Sequence, residues 1–205
     1  MHNVFTSVFP ACKINCCRFH LEQSWSRKIQ TVGLSSEYKD KSCEIGKWLS
    51  QFFGLTFLPA EEIEDCFVED KSEAPSDEKC TAFADYVLDT YVSNVSRYPP
   101  SFWAGAPTPN CKRTNNSSES FHSHYNEQFY SHHPSIYIVI DVIKKNQATT
   151  YVKMRSLDMP AAVTKQEKEK MDFVIEKCQL YVRGDITRSQ YIRCVAYKYS
   201  ARTDL

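Results

Sequence analysis

Ala82-Phe-Ala-Asp-Tyr-Val-Leu-Asp-Thr-Tyr-Val-Ser-Asn-Val-Ser96 is the stretch whose reading decides the class of fold. Its apolar side chains Phe83, Val87, Leu88, Tyr91, Val92 and Val95 recur at three- and four-residue steps, which a 3.6-residue turn gathers on one core-facing stripe. The helix stops at Tyr98-Pro99-Pro100, and the four prolines and one glycine between Pro99 and Asn110 make a loop that Phe102 and Trp103 pin to the core. Toward the N-terminus the same periodicity predicts helices over Cys43–Phe53 and Cys16–Ile29, the latter presenting Phe19, Leu21, Trp25 and Ile29. Between them and the deciding stretch, Leu58-Pro-Ala-Glu-Glu62 is a helix entrance, with Pro59 at its first turn and acids near its positive end. Only Val4–Pro10, a β-branched and aromatic run closed by proline, is expected as a strand. Toward the C-terminus, helices are expected at Ser118–Tyr130, from Pro134 to about Met154 with Ile136, Ile140, Val142 and Ile143 inward, at Lys165–Val182, and at Thr187–Ser200. The fold class is therefore mainly α with one short strand near the N-terminus.

The 205 residues suffice for a buried core, and a charged fraction of 24% with an aromatic fraction of 13% excludes collagen-like, coiled-coil and fully disordered chains. Lys plus Arg and Asp plus Glu number 25 each, but the balance is uneven. The middle of the chain, residues 48 to 143, is acidic, much of it in Glu61–Glu78, and the stretch from Lys144 onward is basic. That basic excess reads as a solvated face or as a phosphate-binding one. Nine cysteines at irregular spacing in a chain of this size favour reduced thiols, hence the nucleus or cytoplasm rather than secretion. The first residues lack a signal-peptide pattern, and no run approaches the ~18 apolar residues of a membrane span.

Two places carry residue types suited to chemistry. Cys17 and His20 stand three apart on an expected helix, a spacing that turns two zinc-ligand types to one side; the alternative is a buried thiol beside a carbonyl-bonded imidazole. Glu119 follows Thr114-Asn-Asn-Ser-Ser, so it falls in the first turn of a helix, where the dipole favours an anion. It reads either as a metal ligand or as the partner of a capping box.

Val8-Phe9-Pro10, Cys17-x-x-His20-Leu21, Gly54-Leu-Thr-Phe-Leu-Pro59, Phe83-Ala-Asp-Tyr86, Pro100-Ser-Phe-Trp103 and Thr114-Asn-Asn-Ser-Ser-Glu-Ser-Phe121, in this order, resemble the second half of the Mutator-like (MULE) transposases. These are DDE-type transposon enzymes with a ribonuclease-H-like fold. The resemblance covers roughly residues 4 to 155 and leaves 156–205 as a basic helical extension. It implies that residues of about 40–98 are the helical insertion of such a domain, that the helix of about 115–131 bears the third catalytic acid, Glu119, and that Cys17 and His20 form the family's Cys-x-x-His motif. It also implies two Mg²⁺ ions, one activating the nucleophile and one stabilising the leaving oxygen of a cut phosphodiester. Hard cations need several carboxylates at once. The family's first two are Asp residues upstream of Cys-x-x-His, and this sequence has no Asp or Glu before Glu22. Asp85, Asp89 and Asp141 match no family position.

The expectation is thus a transposase-derived fragment, catalytically incomplete as written and holding no metal, that binds DNA phosphates through Lys144, Lys145, Lys153 and Arg155 without reading bases. Its partners would be DNA, itself or another transposase-derived chain, and no membrane. The alternative is the C-terminal part of an active Mg-dependent transposase whose two Asp lie upstream of Met1. A remnant with no selected activity is a third reading. Loss of the sheet strands is also expected to leave Val4–Phe9 as an exposed edge and the chain marginally stable or dependent on a partner.

Overall fold

The computed structural model describes residues 7–9, 11, 15–40, 42–108, 116–131, 133–155 and 165–199. It is mainly helical, with no strand among those residues. The chain divides into two compact units, residues 1–113 with 169–205, and residues 114–168.

The expected strand needs correction. Ser7 and Val8 are helical, and residues 4–6 and 10 lie outside the described ones. A lone strand has no neighbour for its N–H and C=O groups, whereas a helix pairs them within itself, and that requirement outweighs the β-propensity of valine and phenylalanine. The exposed strand edge expected with it is absent from the described residues.

The first unit begins with α1 (Arg18–Thr31), α2 (Ser35–Lys39) and α3 (Glu44–Leu55). Gly33, at φ +73°, ends α1 in a left-handed turn in which the Leu34 amide donates to the Ile29 carbonyl, 3.0 Å away. A single 3₁₀ turn, Ala60–Glu62, leads into α4 (Ile63–Ser72) where the Leu58-Pro59 entrance is predicted. Asp77 then caps α5 (Glu78–Val87), accepting from the Lys79 amide at 2.7 Å. The deciding stretch continues α5 and widens into a π-turn at Leu88–Val92, closed by the Ser93 amide on the Leu88 carbonyl. Phe83, Val87, Tyr91 and Val92 are buried as their spacing predicts, but Val95 is 94% exposed because the helix has already ended.

The core they face is largely aromatic. Trp25 is fully buried and meets Phe53, Tyr91 and Trp103 edge-on at ring-centre distances of 5.7, 5.9 and 5.8 Å. Trp103 follows the 3₁₀ turn Pro100–Phe102, and its Nε1–H donates to the Tyr91 and Tyr98 carbonyls, so it pins the proline-rich loop as expected.

The C-terminal helices α8 (Lys165–Arg183) and α9 (Arg188–Tyr199) carry the part set apart in the sequence as residues 156–205, and from Glu169 on they belong to this same first unit. Ile192 of α9 lies against Gly54 of α3 so closely that a Cβ there would come within 2.7 Å of the Ile192 carbonyl oxygen. Tyr191 donates to the Phe57 carbonyl and stacks on Tyr181, while Arg193 pairs with Glu73 at 2.9 Å and Arg188 with Glu69. Burial of Val174, Tyr191, Ile192 and Val195 supplies the apolar part of that attachment.

The second unit holds α6 (Asn116–Glu127) and α7 (Ile136–Arg155). Gln128 and Asn146 exchange amide hydrogen bonds at 3.2 and 3.4 Å, clasping the C-terminal end of α6 to the middle of α7. The inner face expected for α7 is corrected: Val142 is buried, but Ile136, Ile140 and Ile143 are 62, 42 and 50% exposed. Periodicity reports that apolar residues share a side of a helix; it does not report that anything covers that side.

Candidate nucleic-acid interface

The Cys17–His20 pair falls at the very start of α1 rather than within its interior. Cys17 is the N-cap of α1, with extended backbone (φ −68°, ψ 122°), and is partly buried, while His20 lies one turn inside and is exposed, its ring edge against Phe19. The helix starts two residues later than its pattern predicts. Cys16, also outside the helix, has its thiol pKa raised by burial and by the neighbouring Cys17. Zinc needs four donors in a closed site. Among the described residues no group of three or more His, Cys, Asp or Glu is placed to share a metal ion.

Glu119 stands in the first turn of α6, as predicted, and is exposed; Thr114 and Asn115, its expected caps, lie outside the described residues. Within the second unit Asp141 is engaged by Lys145 at 2.7 Å, and in the first unit Asp85 is engaged by Lys71 at 2.8 Å. Hard cations need several carboxylates at once, and among the described residues Glu119 stands in no such cluster.

The four cations of α7 are all exposed but do not form one patch. Lys144 and Arg155 are eleven residues apart, three turns, so they lie in line about 16 Å from each other. Lys145 points about 100° round the helix, and its ammonium is held in the charged form by its hydrogen bond to Asp141. Lys153 is on the side opposite Lys144. There it lines a cleft of about 430 Å³ between α6 and α7, together with Ser120, Phe121, His124, Thr149 and Thr150.

The sequence reading missed this cleft and the rings beside it. Phe121 stacks on Tyr125 with ring centres 6.1 Å apart, and Tyr125 meets Phe129 edge-on at 5.2 Å. Aromatic residues at 121, 125 and 129 are an i, i+4, i+8 series, and that spacing was the available signal.

In the first unit a cleft of about 580 Å³ is walled by Lys47, Trp48, Gln51 and Tyr197, with the Glu73–Arg193 pair across it. Nearby Asp70 is 4% exposed, and its Oδ2 reaches no hydrogen-bond donor. Burial first, then the charges of Glu73 and Glu69, push its carboxyl up to about 7, against the opposing pull of Arg193 and Arg188. Glu22, 8% exposed beside Arg18 at 3.2 Å, is pushed up to about 7 chiefly by burial. Below about pH 4 both the folded and unfolded chain hold these protons and folding carries no penalty. As pH rises from there through about 7 the unfolded chain releases them first, and stability falls. Urea unfolding at pH 5 and pH 8 should show this loss, and Asp70→Asn should reduce it by on the order of 2 kcal/mol. An equal loss in the variant would remove Asp70 as its source.

The protein is mainly helical and divides into two units, each compact in itself. No family model, curated protein or solved structure matches the chain. Among the described residues no helix is long and apolar enough to cross a membrane.

Proposed function

We propose that this chain is a fragment of a Mutator-like transposase, catalytically incomplete as written, that binds DNA through the phosphate backbone. The ordered motifs from Val8 to Phe121 support the family, and the exposed cations of α7 support the activity. Lys144 and Arg155 carry it: two cations in line along a rigid helix bridge phosphates without touching a base edge. Such binding is sequence-independent and driven by counterion release, so log K should fall linearly with log salt at about −0.9 per phosphate neutralised. With a fluorescent duplex, Lys144→Gln and Arg155→Gln should each reduce that slope by about 1, uniformly across duplex sequences. Binding that ignores salt, or keeps its slope in both variants, would sink the proposal.

A second reading follows from Glu119, an exposed carboxylate in a first helical turn. In a longer polypeptide that supplies two further Asp, it becomes the third ligand of a Mg-dependent strand-cutting site. Metal-dependent nicking by such a polypeptide, abolished by Glu119→Gln, is its test.

A further inference from the structure

The cleft between α6 and α7 is distinct from the Lys144–Arg155 line and lies on the other side of α7. Its chemistry is mixed in a specific way. Thr149 and Thr150 donate their hydroxyl protons to the Lys145 and Asn146 carbonyls one turn back, at 3.0 and 2.8 Å, which leaves their oxygens as acceptors only. Asn146 spends its amide N–H on Val142 and Gln128. The His124 Nδ1 is engaged by Glu127 at 3.3 Å. Lys153, by contrast, brings an ammonium, a donor with no acceptor capacity. Phe121 adds a ring 51% exposed, backed by Tyr125.

A ligand that satisfies this set carries a flat π-face for Phe121, N–H or O–H donors for the threonine oxygens, and an anion for Lys153. A nucleotide has all three: a base, its exocyclic amine or sugar hydroxyl, and a phosphate. At about 430 Å³ the space suits one such unit. A duplex, whose bases are stacked and paired, presents no free base face to it.

Resting on the nucleic-acid reading above, we infer that the α6–α7 cleft takes an unpaired nucleotide of single-stranded nucleic acid, its base on Phe121 and its phosphate on Lys153. Duplex binding along Lys144 and Arg155 and single-strand binding in the cleft are then separable.

The test uses the full chain and two labelled probes, an unstructured single-stranded DNA oligomer and a duplex of the same length. Phe121→Leu keeps the apolar bulk and loses the flat ring; Phe121→Trp keeps a flat ring. Single-strand affinity should fall roughly 5- to 100-fold in Phe121→Leu, as expected for one lost stacking contact. It should be retained in Phe121→Trp, fall in Lys153→Gln, and duplex affinity should change in neither Phe121 variant. Single-strand binding indifferent to Phe121→Leu, or duplex and single strand weakened alike, overturns the cleft while leaving the phosphate reading intact. Failure of both probes to bind overturns both.

Discussion

Replacing Trp25 with alanine is expected to cost the first unit about 3–5 kcal/mol, the range for emptying a fully buried aromatic site. The site cannot readily collapse, because Phe53, Tyr91 and Trp103 each meet the indole by an edge rather than sliding past it. The hole would also loosen the loop that Trp103 pins through Tyr91 and Tyr98. The Trp25 Nε1–H reaches no hydrogen-bond acceptor, so the ring stabilises by packing alone. Trp25→Phe should therefore be much milder than Trp25→Ala, since it removes area but also a buried unsatisfied donor. Urea midpoints of the two variants check this; equal losses would mean that the indole N–H matters after all.

Gly46→Ala should destabilise by about 2 kcal/mol, although alanine is intrinsically the better helix former by about 1 kcal/mol. Gly46 sits inside α3, where an added Cβ would fall 2.2 Å from the Glu37 carbonyl oxygen and 2.8 Å from that of Asp40. Both are backbone atoms, so relief requires α2 to move as a body. The same substitution at Gly184, where an added Cβ meets nothing within 4 Å and only the positive φ of +81° opposes it, should cost about 1 kcal/mol, the strain of one left-handed residue. Equal midpoints for the two variants would show that the α2–α3 approach yields easily.

What the sequence made legible is mostly local. Phe83, Val87, Tyr91 and Val92 declared a helix and its buried side together, because periodicity and burial share one cause in an amphipathic helix. Proline marked helix starts at Pro59 and Pro134, but the acid cap at Asp77, five residues before the expected start at Ala82, went unread. Exact boundaries were not legible: α1 begins two residues later than its pattern predicts, which makes Cys17 a cap rather than a helical residue. Nor was what covers an apolar face. Ile136, Ile140 and Ile143 look like Phe83 and Val87 in pattern and differ in being left largely exposed. The attachment of α9 to α3 depends on Gly54 meeting Ile192, residues 138 positions apart, and no local signal announces such a meeting. At the candidate interface the cations were read as one set because they are close in sequence; three-dimensional phase along α7 splits them.

The π-turn at Leu88–Val92 bears on how this chain tolerates insertion and deletion. A wide turn accommodates one residue more than an α-turn while keeping the helix on either side in phase. Loss of the exposed Asp89 would tighten it to an ordinary turn and still leave Phe83 and Val87 facing inward. The same loss in the middle of α3 would swing half of that helix by about 100° and carry its buried aromatic face toward water. Length is therefore negotiable at one place in the first unit's helices and fixed at another.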